Sequence, residues 1–200
     1  TPLALLSAAS RKTHGTAGDF DIPLAMIGQG DSTVECRSGS STTLVLTFNK
    51  PPEAIDGTWN DNGEVKVYLD GTHYIGIATG ITASNESLEI ELDTANVVNQ
   101  CMAIVLADLV DLQGTVTVRL RFVPGDVGGE PIGEPHVCEA GSVNPCDYAA
   151  VYAHIGDPVG ADTARYDVNV DGSIDLGEIF SDVPTETRHL WYDHITMCWY

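Results

Sequence analysis

Basic residues are scarce in this chain: Lys and Arg number 9 against 29 Asp and Glu, a formal charge of −20. Such a balance gives no attraction to nucleic acid phosphates or to an anionic membrane, so the natural ionic partners are cations. No run approaches the ~18 apolar residues that a spanning helix needs. The first ten residues, Thr1 to Ser10, have no basic segment before their short apolar stretch, and the chain reads as mature and soluble. The five cysteines, at 36, 101, 138, 146 and 198, include no CxxC pair. With few bases and one Asn-x-Ser sequon, at Asn85, the simplest setting is secreted and oxidising. His136, Cys138 and Cys146 fall short of a zinc site, for they lack a fourth ligand and the close ligand pairs zinc requires. Also missing are a nucleophile elbow and a Gly-rich loop leading into a helix. His14, beside Arg11 and Lys12, is a structural residue before it is a general base, and Glu89 and Glu91 share one strand face as a solvated stripe. No enzymatic activity is expected.

What is present suffices to fold. Hydrophobic residues make up 43% of the 200, enough for one large domain or two small ones. From Ala4 to Val123 apolar and polar residues alternate in short runs punctuated by Gly, Asn, Asp and Pro. Strands are expected at 3–10, 19–27, 33–37, 43–49, 64–69, 73–79, 87–92, 101–107 and 115–123, with a turn at Asp61-Asn62-Gly63. Nine short strands without a helical period indicate an antiparallel β-sandwich over residues 1–123. At Pro124 the texture changes: Gly and acids crowd in, and short helices are expected at 147–155 and 176–182. Residues 124–200 therefore form a second module, and the charge follows the division. Residues 122–200 hold 14 acids against 2 bases, while 1–121 hold 15 against 7.

The strongest chemical signal runs from Asp167 to Glu178. Oxygen-bearing side chains alternate at Asp167, Asn169 and Asp171, Gly172 stands sixth for a sharp turn, Ile174 eighth, and Glu178 twelfth. This spacing wraps a backbone around a hard cation: three side-chain oxygens, the Ser173 carbonyl, a direct or water-bridged Asp175, and a bidentate Glu178. Acids so closely clustered repel one another without an ion, and Ca2+ suits this donor set better than Mg2+, which keeps its waters.

Asp147-Tyr148-Ala149 and Arg165-Tyr166-Asp167-Val168-Asn169-Val170-Asp171-Gly172, preceded by Gly125-Asp126-Val127, resemble the duplicated calcium loop and helix of a type I dockerin over roughly residues 125–183. The first copy departs from the pattern. Asp126 and Asp147 are 21 positions apart, where Asp167 and Glu178 are 11 apart, and Gly128 offers no side-chain oxygen. Asp126, Glu130, Asn144 and Asp147 are what a degenerate first site would use. Glu178 closes the second loop where dockerins usually have Asp, which leans toward an ordinary EF-hand cage. In the first module Ser10-Arg11-Lys12-Thr13-His14-Gly15, Gly18-Asp19-Phe20-Asp21-Ile22-Pro23-Leu24 and Val34-Glu35-Cys36-Arg37 resemble an immunoglobulin-like sandwich of secreted planctomycete and verrucomicrobial proteins, commonly placed before a dockerin-like pair. The resemblance implies a secreted bacterial architecture of mainly β class and transfers no catalysis.

Among the cysteines, Cys138 and Cys146 enclose a short loop that a disulfide would rigidify. Cys36 and Cys101 fall in expected strands and could bridge the two sheets, leaving Cys198 free or bonded to another chain; a buried reduced thiol is the alternative for each. The tail is aromatic, with Trp191, Tyr192, Trp199 and Tyr200. It packs on its own chain, forms a subunit interface, or stacks on a sugar ring. Leu3 and Leu5 open an apolar strand that completes its own sheet or adds to a neighbour's edge. Two function classes follow. One is an extracellular structural subunit, calcium-locked, that associates with copies of itself at the cell surface or in a filament. The other is the docking module of a secreted carbohydrate-active protein, bound by a cohesin-like partner.

Overall fold

The computed structural model describes residues 1–24, 33–128, 143 and 145–180. The described chain is mainly β. Its strands are β1 (Leu5–His14), β2 (Gly18–Leu24), β3 (Thr33–Glu35), β4 (Ser41–Phe48), β5 (Val65–Leu69), β6 (Thr72–Tyr74), β7 (Ala78–Ser84), β8 (Ser87–Asp93), β9 (Gln100–Leu106) and β10 (Val116–Phe122). Two helices, α1 (Pro145–Ala153) and α2 (Gly177–Phe180), follow, with a 3-10 turn at Ala164–Tyr166 between them. The strands form two five-stranded sheets, β2-β1-β4-β8-β7 and β3-β10-β9-β5-β6. Among the described residues no helix is long and apolar enough to cross a membrane.

The chain divides into two compact units. The first comprises Thr1–Lys12, Asp21–Thr33 and Gly39–Phe122, and the second Thr13–Phe20, Val34–Ser38 and Val123–Tyr200. The second unit is thus more than the C-terminal segment, because it includes the tip of the β1–β2 hairpin and the residues around Cys36.

In the first unit, alternation builds the core directly. Leu44, Leu46 and Phe48 of β4 and Leu88, Ile90 and Leu92 of β8 point inward from one sheet. Val65 and Val67 of β5, Met102, Ile104 and Leu106 of β9, and Val118, Leu120 and Phe122 of β10 join the same cluster from the other. Antiparallel registers place Leu46 opposite Leu88, and Ile104 between Val67 and Val118. Each such side chain contributes roughly 1.5–3 kcal/mol on burial, which is why the alternating runs dominate the fold.

Elsewhere the structure departs from the sequence expectation. The run at 73–79 is two strands in different sheets: β6 ends at Tyr74 and β7 begins at Ala78. The turn at Asp61-Asn62-Gly63 exists, closed by the Asn62 N–H donating to Asn60 Oδ1 at 2.7 Å, but it sits in the long connection before β5 rather than between paired strands. The tight hairpins are instead at Asp70-Gly71 and Asn85-Glu86, where Asp70 and Asn85 take φ of +44° and +51°. Asn and Asp tolerate that left-handed region better than other side chains. The Asn85 sequon therefore lies at an exposed hairpin tip.

Two further expectations are corrected. Leu3 is 4% exposed and sits in the core of its own chain, with Leu5 partly buried against it, so of the two readings the structure favours a strand that completes its own fold over an interface role for Leu3. Leu3 forms a parallel bridge to Leu112, which places the N-terminal segment against its own fold. Cys36 and Cys101 are both free. Cys36 follows β3 and Cys101 lies on β9, strands of one sheet, so no bridge between sheets arises. The Cys36 thiol is buried and donates to the Arg165 carbonyl at 3.4 Å; burial, reinforced by the Glu35 charge, pushes its pKa up to about 12. That makes it an inert thiol. Cys146 is disulfide-bonded.

Candidate metal centre

The site is built in the second unit. The 3-10 turn at Ala164–Tyr166 delivers Asp167, and α2 begins at Gly177, one residue before Glu178. Between them the loop is shaped by its own side chains. Asn169 Oδ1 accepts the Asp171 N–H at 2.9 Å, and Asp171 Oδ1 accepts the Ser173 N–H at 2.9 Å. Asp175 Oδ1 accepts the Gly177 N–H at 2.5 Å, an Asx turn leading into α2. Each of these short side chains replaces a backbone partner that a helix or sheet would have supplied. Val168 and Ile174 are buried apolar anchors, and the Gly156 N–H beyond α1 donates to the Ile174 carbonyl at 2.9 Å.

This winding brings Asp167, Asp171 and Glu178 together, with one carboxylate oxygen from each within 4.8 Å of the others. Asp167 is fully buried and Glu178 is 3% exposed, whereas Asp171 faces solvent. Asp175 stands outside that trio. Glu178 Oε2 accepts the Asn169 N–H at 2.9 Å, but Oε1 is buried without a hydrogen-bond partner among the described residues. Loss of solvation raises the Glu178 carboxyl to about 7, and the charges of Asp167 and Asp171 push in the same direction. A buried carboxylate oxygen with no donor among the described residues, beside two more carboxylates, is a set that could hold a hard cation, which would supply the missing electrostatic partner.

The degenerate first loop is only partly in view. Asp126 and Asp147 are buried, and Asp147 Oδ1 accepts the Gly128 N–H at 2.9 Å, tying residues 126–128 to α1. Glu130 and Asn144 lie outside the described residues, as do His136, Cys138, Cys198, Trp191, Tyr192, Trp199 and Tyr200.

A group beside the second loop is not foreshadowed by the loop pattern. His14, at the end of β1, is fully buried, and its Nδ1 lies 2.8 Å from Asp167 Oδ2. On the other side of the ring Nε2 is 3.1 Å from Arg37 Nη1. Arg37 in turn pairs with Glu35 through Nε to Oε1 at 2.8 Å and Nη2 to Oε2 at 2.9 Å, and donates from Nη1 to the Phe20 carbonyl at 2.8 Å. The only sequence signal was the period of β1, where Ala8, Ser10, Lys12 and His14 occupy alternate buried positions.

No family model matches the chain, and no curated protein or solved structure is found similar to it.

Proposed function

We propose that this is a secreted, non-enzymatic structural protein of a bacterial surface or filament, whose second unit is locked by Ca2+ at the Asp167–Glu178 loop. The observation that carries the calcium reading is the orphaned, buried Oε1 of Glu178 within the carboxylate trio. Asp167, Asp171 and Glu178 would hold the ion through carboxylates, Asn169 through its side-chain oxygen and Ser173 through its carbonyl, with Asp175 direct or through water. On this reading the loop and α2 are one half of a dockerin-like module, and the two sheets belong to an immunoglobulin-like sandwich. The exposed sequon at Asn85 and the bonded Cys146 support an oxidising, extracellular setting.

Association with copies of itself is supported by the distribution of charge on the first unit. The outward positions of β5, β9 and β10 carry Lys66, Arg119 and Arg121 and no acid, and Arg119 lines a hollow of about 420 Å³ together with Tyr68, Ala103 and Thr117. On the other sheet the outward side chains include Asp21, Glu89 and Glu91, with Arg11 between Asp21 and Glu89 at 2.7 and 2.9 Å. One face is positive in a chain of charge −20 and the other negative, which suits head-to-tail contact between copies. Light scattering and negative-stain microscopy in millimolar calcium should show oligomers or filaments. The pair Lys66→Glu and Arg119→Glu should return them to monomers, and so should raising salt well above physiological strength. Monomers of 21.3 kDa with and without calcium would overturn self-association and leave a binding module whose partner must be sought.

A further inference from the structure

We infer that Glu35, Arg37 and His14 form the outer sphere of the calcium loop, with His14 as a positioning residue that fixes the Asp167 carboxylate for the ion. This rests on the calcium reading above. The proton's place on the ring follows from donor chemistry. A guanidinium has only donors, so the contact between Arg37 Nη1 and His14 Nε2 at 3.1 Å requires Nε2 to accept. The proton of the neutral imidazole is then on Nδ1, where it is donated to Asp167 Oδ2 at 2.8 Å. A doubly protonated ring would set two donors face to face at Nε2.

The consequence falls on the ligand. Oδ2 of Asp167 receives two good donors, His14 Nδ1 and the Gly172 N–H at 2.9 Å. Among the described residues Oδ1 accepts only a longer bond, 3.2 Å from the Asp171 N–H. The carboxylate is therefore turned with one oxygen occupied by the protein and the other presented to the ion. Outer partners of this kind set ligand orientation in metal sites and govern affinity. Arg37 cannot drift, since Glu35 holds it at two points and the Phe20 carbonyl at a third.

Burial adds weight. Glu35, Arg37, His14 and Asp167 are each no more than 1% exposed. Removing four polar groups from water is costly, and apolar residues of similar volume commonly serve a core at least as well. Stability alone does not call for this row, whereas orienting a calcium ligand does. The backbone is arranged to the same end: a Cβ at Gly172 would lie 2.9 Å from the His14 carbonyl oxygen, so the hairpin tip closes directly on the loop.

Calcium titration by calorimetry on the full chain, with two variants, tests the inference. His14→Phe keeps a ring that can meet Phe20 edge-on, as His14 does at 5.5 Å, but has no donor. His14→Asn keeps a donor near the Nδ1 position. We expect His14→Phe to weaken calcium binding roughly 10- to 100-fold and His14→Asn to stay within about threefold of the parent. A parent chain that binds no calcium sinks the calcium reading itself. A parent that binds, alongside a folded His14→Phe of equal affinity, sinks only the positioning role. Should His14→Phe not fold, nitrogen NMR of the parent imidazole decides: a neutral ring protonated at Nδ1, with a signal that moves on adding calcium, supports the role. A proton on Nε2, or a signal indifferent to calcium, overturns it.

Discussion

Millimolar calcium should raise the melting temperature of the chain by roughly 5–10 °C over the chelated protein, and Asp171→Ala should remove that increment. A ligand that binds only the folded state stabilises by RT ln(1 + [L]/Kd), about 2.7 kcal/mol at a hundredfold excess over Kd. For a chain of this length each kcal/mol moves the midpoint by roughly 2–4 °C. Asp171 is solvent-facing, so besides a carboxylate of the trio its loss removes only two exposed bonds within the loop, from the Ser173 N–H and from Asn169 Nδ2, whose cost shows in chelator as well as in calcium. Asp167→Ala should behave differently: it also strands the buried Nδ1–H of His14, which costs about 1–3 kcal/mol even in chelator. The two variants therefore separate ion binding from packing, and identical melting of parent and Asp171→Ala in calcium would refute the site. Acidity gives an independent check. The Glu178 carboxyl sits at about 7 in the metal-free fold, above the 4.5 of an ordinary glutamate. A raised carboxyl contributes stability that is fully present below the unfolded value and is lost as pH climbs through the folded one. The chelated protein should thus lose stability between pH 5 and pH 8. Calcium should offset that loss at pH 8 and bind more weakly at pH 5.5, where the proton competes for the same oxygen.

The parts of this molecule that were legible in the sequence are those where one period or one spacing decides the outcome. Strands β4, β8, β9 and β10 alternate cleanly because each buries one face against the core. The twelve residues from Asp167 to Glu178 carry their geometry in their spacing. β7 was missed because Ala78–Ser84 is an edge strand of small and polar residues with no buried position, and so has no apolar period. The end of β1 was missed for the opposite reason: its buried positions are Ser10, Lys12 and His14, which a hydrophobic pattern reads as exposed. Lys12 is accommodated there by donating from Nζ to the Ser41 carbonyl at 2.9 Å. The contact of His14 with Asp167 is hidden by separation along the chain, since the two residues are 153 positions apart and only folding brings them together. Leu3 and Cys36 stay open between two readings in the sequence because apolar character and strand position do not say which surface covers a side chain.

Gly15→Ala should be among the most damaging small substitutions in the second unit, costing about 3 kcal/mol or more, and Gly18→Ala in the same hairpin supplies the control. Gly15 has φ +48°, where a Cβ costs roughly 1–2 kcal/mol. The added methyl would also stand 2.1 Å from the Asp171 carbonyl oxygen and 2.7 Å from its carbon, well inside contact distance. Backbone cannot rotate away as a side chain can, so either the hairpin tip or the loop must move, and overpacking of this kind typically adds 1–3 kcal/mol. Gly18 also has positive φ, +113°, but a Cβ there meets nothing within 4 Å among the described residues. Its alanine variant therefore reports backbone strain without collision. Urea denaturation should show a clearly larger loss for Gly15→Ala, and calcium calorimetry should show weaker binding for that variant alone, because its clash falls on the Asp171 backbone that the loop winds through. Equal losses at the two positions would mean that strain accounts for both and that the tip does not press on the loop. A larger loss at Gly15 joined to unchanged calcium affinity would mean that the tip supports the unit without shaping the ligands.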